Sequence, residues 1–267
     1  MIGIDPYLQQ KYNNRAAVPD HMDYIRDWAE RSAEWRRLSP PQSFRYGDTD
    51  RSWLDLFPVD GEAPVHVFLH GGYWQALDRA YFSYLARQFQ KRGEHAVILE
   101  YDLCPAVSLR TIVDQVRRAF EWMDSHLGQQ GGDMSRLQVT GHSAGAQLLA
   151  WLIGNNQLPR HTICNGLSGI YDLRPLVHTT VNEALKLDQQ QASALSPQFL
   201  LPDSKEAYRL ELFVGEKESD EYLRQSRALQ EAWRERLRTS LGVLPGVHHF
   251  SILDHWLEHY YQPIDGI

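Results

Sequence analysis

From residue 65 onward, short apolar runs of strand character alternate with segments of helical periodicity, and no other feature constrains the fold of this chain as strongly. The runs at 65–69, 96–99, 137–140, 162–164, 210–214 and 241–244 read as strands. Between the first two, Tyr81, Phe82, Leu85 and Phe89 recur at helical spacing. The next helix carries one apolar stripe of Ile112, Val116, Ala119, Phe120 and Met123, ended by Gly128 and Gly131-Gly132. Further helices are expected at 146–153, around 226–238 and at 251–260. Such alternation is satisfied by an α/β architecture, a mostly parallel sheet with helices on both faces. A chain of 267 residues with 43% hydrophobic residues can bury one large core, so residues 1–267 are expected to form a single domain.

Two stretches break the pattern. The first 60 residues are polar, rich in arginine and tryptophan, and interrupted by Pro40-Pro41 and Pro58. They read as a helix at about 20–37 and an outer hairpin at about 44–57. The stretch 172–205 reads as a small irregular, cap-like excursion that covers the site.

The charge balance excludes other classes. A net charge of −7 without a lysine or arginine block argues against a nucleic-acid surface. No apolar stretch of the ~18 residues needed for a bilayer span is present, and the N-terminus lacks the basic start and apolar run of a signal peptide. A cytoplasmic protein without membrane partners is the expectation. Cys104 and Cys164 lie at or near strand-like runs and lack redox or zinc spacing, so both are expected as buried free thiols.

Gly141-His142-Ser143-Ala144-Gly145 sits between the strand at 137–140 and the helix that follows. A direct turn from strand to helix strains the apex residue and leaves its side chain exposed at the strand's C-terminal end, with the glycines giving room for close packing. Ser143 is therefore the nucleophile candidate. A serine hydroxyl at neutral pH needs a base within hydrogen-bond reach, oriented by a third group. His249 follows the last strand and precedes the last helix, at the same sheet edge, with His248 its rival. The acid belongs after the penultimate strand, where Glu218 lies three residues past Gly215. Asp220 is the alternative, although it has the position of a helix N-terminal residue. Acyl chemistry also needs oxyanion donors. His70-Gly71-Gly72-Tyr73-Trp74 directly follows the strand at 65–69, which makes the N–H groups of Gly72 and Tyr73, with that of Ala144, the expected hole. His70 is expected to brace this loop. His255 and His259 stand four apart without a third ligand, so no metal is assigned.

With these motifs the sequence resembles the kynurenine formamidase (arylformamidase) family of the α/β-hydrolase superfamily. The resemblance rests on 70–75, on 141–145 and on Ser168-Gly169-Ile170-Tyr171-Asp172-Leu173, with Asn182, 195–197 and 214–226 in support. It implies an α/β-hydrolase fold without a cofactor, and the match at Phe250 selects His249 as base. The family generally has aspartate where Glu218 stands, so the acid is where this chain departs. The implied reaction is hydrolysis of N-formyl-L-kynurenine to L-kynurenine and formate, through formyl-Ser143. On that reading Tyr73 and Trp74 leave little space for a long acyl chain, an aromatic leaving group stacks on Trp74 or Tyr171, and Asn182 binds the amino-acid end. The competing expectations are a short-chain carboxylesterase or aryl amidase of the same fold, and a non-catalytic binding protein, which the filled site positions disfavour.

Overall fold

The computed structural model describes residues 3–203 and 207–261. Eight strands form one sheet: β1 (Gln42–Arg45), β2 (Trp53–Phe57), β3 (Ala63–Leu69), β4 (His95–Leu99), β5 (Gly132–His142), β6 (Thr162–Leu167), β7 (Tyr208–Gly215) and β8 (Arg238–Leu244). Their order is β1-β2-β4-β3-β5-β6-β7-β8. The contacts of β2 with β1 and β4 are antiparallel, and all others are parallel. The expected outer hairpin is therefore the antiparallel edge of an otherwise parallel sheet.

The ten helices among the described residues are α1 (Pro6–Tyr12), α2 (Asn14–Ala17), α3 (His21–Leu38), α4 (Ser83–Lys91), α5 (Leu109–His126), α6 (Ala144–Gly154), α7 (Asn182–Leu185), α8 (Gln189–Ala194), α9 (Asp220–Trp233) and α10 (Ile252–His259). None is long and apolar enough to cross a membrane. Alternation along β3 sends Val65, Val67 and Leu69 into one core layer, with the α5 stripe and α6, and Phe68 into the other, with α4 and α10. All five expected stripe residues of α5 are at most 2% exposed. Burial of each of the larger four, Ile112, Val116, Phe120 and Met123, stabilises by roughly 1.5–3 kcal/mol. Trp28 of α3 is likewise enclosed, tilted against Phe82 and stacked on Phe250. Cys104 and Cys164 are free and buried.

Two expectations are corrected. The helix placed near 226–238 begins at Asp220 and ends at Trp233, because Ser219 is the extended N-cap and Asp220 and Glu221 supply the acidic first turn. The excursion expected at 172–205 is not irregular over its described residues, 172–203, and its last two positions lie outside the described residues. It is a chain of short turns and helices, in which α8 opens with a capping box of Asp188 and Gln191.

The sheet order fixes where chemistry can occur. The chain runs from β3 outward to β4, then returns to the other side of β3 as β5. In open α/β sheets the crevice at such a reversal, beyond the strands' C-terminal ends, is the ligand site.

Candidate active site

Because β3 and β5 pair with Leu69 opposite Gly141, residues 70–73 and 142–145 leave the sheet side by side. Ser143 turns the chain from β5 into α6 with φ 55° and ψ −115°, a left-handed conformation that costs a non-glycine residue about 1–3 kcal/mol. Packing holds it there. A Cβ on Gly145 would stand 2.0 Å from the Leu69 carbonyl oxygen, and one on Gly141 would stand 2.4 Å from the Gly145 carbonyl oxygen. The Ser143 N–H donates to the Leu167 carbonyl at 2.8 Å, and every residue of α6 is buried.

The loops after β7 and β8 approach from the other side. Glu216 and Lys217 N–H groups donate to the carbonyls of Leu244 and Val247, each at 2.9 Å. This contact brings Glu218 to His249. Glu218 Oε2 lies 2.7 Å from His249 Nδ1, and His249 Nε2 lies 3.1 Å from Ser143 Oγ. A carboxylate only accepts, so His249 Nδ1–H donates to it and Nε2 is left to accept from the serine hydroxyl. The other carboxylate oxygen, Oε1, accepts from Ser168 Oγ at 2.5 Å and from Gly215 N–H at 2.8 Å. Glu218 thus has a partner on each oxygen and a nearly inaccessible side chain.

Neither rival residue reaches this line. Asp220 is exposed and bonds Lys11 and Tyr7. His248 accepts from the N–H groups of Phe250 and Ser251 and donates from Nε2 to Tyr24 at 3.2 Å.

Gly72, Tyr73 and Trp74 have successive φ values of 111°, 53° and 57°. This run coils the loop so that Gly72 accepts from the N–H groups of Gln75 and Ala76, while no described residue accepts from those of Gly72 or Tyr73. The N–H of Ala144 opens α6, where the first turn has no intrahelical acceptor. Gly71 seats the loop on the serine, since a Cβ there would lie 3.0 Å from Ser143 Cβ. His70 braces the loop as expected. Its ring stacks between Tyr101 and Phe82, its Nδ1–H donates to the Gly71 carbonyl at 2.8 Å, and Tyr101 donates to the His70 carbonyl at 2.7 Å. Behind it, Glu100 meets His70, Arg79 and Arg51. Burial acts to raise the Glu100 pKa, but His70, the Arg79 N–H and Arg51 outweigh it and hold the carboxyl below its usual range.

The cleft above Ser143 measures about 240 Å³, below the roughly 300–1,000 Å³ of sites for drug-sized ligands. Its lining includes Tyr73, Ser143, His142 and His249, but not Trp74, Tyr171 or Asn182. These three expected substrate contacts are corrected. Trp74 is wholly buried, and its Nε1–H donates to Gln147 of α6 at 3.1 Å, so it ties the 70–74 loop to α6. Tyr171 is wholly buried against Gly166 and Gly169. The Asn182 amide is spent on the backbone, donating to the Val177 and Leu187 carbonyls and accepting from the Leu187 N–H.

The cover of the cleft also differs from expectation. Of the described residues of the excursion only 179–181 reach the lining, and the N-terminal segment, with Tyr12, Asn14 and Trp28, supplies the rest of the roof. Tyr73 joins roof to floor, donating to the Tyr12 carbonyl at 2.5 Å and meeting the Tyr222 hydroxyl at 2.8 Å. Tyr222 also packs its ring 5.0 Å from that of His249. His142 was given no role in the sequence. Its Nε2–H donates to the His249 carbonyl at 3.0 Å, and burial, with His249 nearby, pushes its pKa well down, so its ring is neutral. Ser168 stood inside a recognised motif without a function. Its position after β6, next to β7, was the available signal.

Comparison with known proteins agrees with this geometry. The alpha/beta hydrolase fold family matches residues 66–252. The kynurenine formamidase of Salmo salar is 31% identical, covering 93% of this chain and 85% of that protein, and that of Danio rerio is 29% identical, covering 96% and 90%. A solved structure from Silicibacter sp. TM1040, named provisionally as a thioesterase, has a TM-score of 0.84 at 28% identity and covers 97% of both chains. A hyperthermophilic esterase from the archaeon Pyrobaculum calidifontis reaches 0.68 at 17% identity, covering 96% of this chain and 95% of its own, a likeness of fold alone. With the family match spanning most of the chain and the relatives nearly all of it, this protein is an enzyme, a hydrolase of the α/β-hydrolase superfamily that belongs to its kynurenine formamidase family.

Proposed function

We propose that the enzyme hydrolyses the formamide of N-formyl-L-kynurenine to L-kynurenine and formate, with Ser143 as nucleophile, His249 as general base and acid, and Glu218 as the orienting acid. The observation that carries this reading is the hydrogen-bonded line from Ser143 Oγ through His249 to Glu218, set beside the 71–73 loop. His249 Nε2 takes the serine proton as Oγ attacks the formyl carbon. The oxyanion is received by the N–H groups of Gly72, Tyr73 and Ala144, and each such donor typically contributes about 10²–10³ in kcat. Glu218 stabilises the imidazolium that forms, without itself taking the proton. His249 then protonates the departing nitrogen, whose lone pair delocalises into the aromatic ring and makes it a better leaving group than an alkylamine. Water, deprotonated by His249, hydrolyses formyl-Ser143 and releases formate.

The enclosed Tyr73, tethered by its hydroxyl to Tyr12 and Tyr222, limits the acyl side to small groups. A short-chain ester or aryl amide is the second reading, favoured by the likeness to the structure named as a thioesterase. Specificity constants separate the two. A formamidase turns over N-formyl-L-kynurenine with kcat/KM orders of magnitude above that for p-nitrophenyl acetate, and the reverse ranking overturns the proposed substrate. Equal cleavage of octanoyl and acetyl p-nitrophenyl esters would remove the small-acyl limit.

A further inference from the structure

We infer that Arg15 selects substrates bearing an anionic group, a carboxylate, on the leaving-group side of the scissile bond. Arg15 lies in α2, in the roof, and borders the cleft. Among the described residues it is the one lysine, arginine, aspartate or glutamate in the lining, in a chain whose net charge is −7. The surrounding polar side chains are already committed. Asn13 accepts from the Ala16 N–H, Asn14 donates to Tyr222, and Gln9 donates to Thr180. Lys11, the neighbouring cation on α1, is paired with Asp220 at 2.8 Å. Arg15 has no hydrogen bond or ion pair to any described residue. A cleft with one unpaired fixed charge and no acid attracts and orients an anion, and a guanidinium matches a carboxylate with two parallel N–H donors.

The position of Arg15 sets which half of the substrate carries the charge. Ser143 is 2% exposed, at the floor, whereas Arg15 is exposed, at the mouth. The floor beside Ser143 is closed by Gly71 and the tethered Tyr73, so the acyl group stays small and the remainder of the substrate extends towards the mouth. The anion met by Arg15 is therefore on the leaving group. This inference rests on hydrolysis at Ser143, and it stands whether the scissile bond is a formamide or an ester.

The test uses the full-length enzyme and two matched pairs, N-formyl-L-kynurenine with its methyl ester and 4-acetoxybenzoate with its methyl ester. Wild-type enzyme is expected to prefer the carboxylate member in kcat/KM by about tenfold or more, a preference that shrinks with added salt. Arg15→Gln abolishes the preference through KM and leaves the neutral member within about twofold, while Arg15→Lys retains part of it. Equal loss on both members, or no charge preference in the wild-type enzyme, overturns the inference. If N-formyl-L-kynurenine is not cleaved but the acetoxy pair shows the Arg15-dependent preference, the proposed substrate fails and this inference stands. If N-formyl-L-kynurenine is cleaved equally well by Arg15→Gln, the inference alone fails.

Discussion

The floor and the roof of the cleft are built by different means. The floor is the C-terminal edge of β3, β5, β7 and β8, where strained backbone and carbonyl contacts too close for a Cβ fix each group. The roof is the N-terminal segment and residues 179–181, held down mainly by individual side chains: Lys11 and Tyr7 on Asp220, Gln9 on Thr180, and Tyr12 on Glu221. Exposed pairs such as Lys11 with Asp220 contribute little to stability. The proposed reaction chemistry thus falls where the backbone leaves no freedom, and the proposed substrate choice falls in a segment that a few substitutions can reshape.

The largest effects belong to the floor and act on every substrate alike. Ser143→Ala is expected to lower kcat by at least about 10⁴-fold with unchanged thermal unfolding, and full retained activity would end the nucleophile assignment. Glu218→Gln keeps the shape but not the charge that balances the imidazolium, so a loss of about 10²–10⁴ in kcat with little change in KM is expected. Asp220→Asn, two residues on, stays within about twofold. A larger loss from Asp220→Asn than from Glu218→Gln would exchange the two assignments.

The same division explains what the sequence made legible. The residues that the structure brings into one hydrogen-bonded line were marked in the sequence by local signals, a glycine-spaced turn after a strand for Ser143 and the loops after the last two strands for Glu218 and the 248–249 pair, with the match at Phe250 choosing His249 over His248. The sheet's strands were legible because their apolar runs are bounded by turns. The roof was not, because Tyr12 meets Glu221 across 209 positions and no periodicity records such a contact. Trp74 was misplaced for a related reason. An aromatic residue beside an oxyanion loop reads as a substrate platform, but its φ of 57° accompanies a side chain buried beneath the loop, against Gln147.

Glu100 tests the floor's support at an intermediate scale. It is 1% exposed, and its arginine and histidine neighbours hold its folded-state pKa below the usual 4.5. The ionised carboxylate therefore stabilises fully above about pH 4.5, and this contribution is lost as pH falls through the lower folded-state value. Glu100→Gln is expected to cost about 3 kcal/mol in denaturant unfolding at pH 7, with a gap from wild type that narrows below about pH 4.5. A gap that widens on acidification would reverse the sign of the coupling.

The smallest effect belongs to the roof, and it is the sharpest test of the division. Burial and the adjacent Glu221 push the Tyr12 phenol far above its ordinary pKa, so at neutral pH it is a fixed donor to Glu221 at 2.6 Å and an acceptor from Gln225 at 2.8 Å. Tyr12→Phe removes both bonds and keeps the ring, while Arg224 still pairs with Glu221. The roof then loosens, but the line from Ser143 to Glu218 shares no atom with the lost hydroxyl. KM is expected to rise about three- to tenfold with kcat within about twofold, the pattern of lost uniform binding. Titrating both constants for one substrate checks it. A fall in kcat equal to that of kcat/KM would mean that the roof, through Tyr73, also positions the oxyanion loop, and floor and roof would then act as one unit.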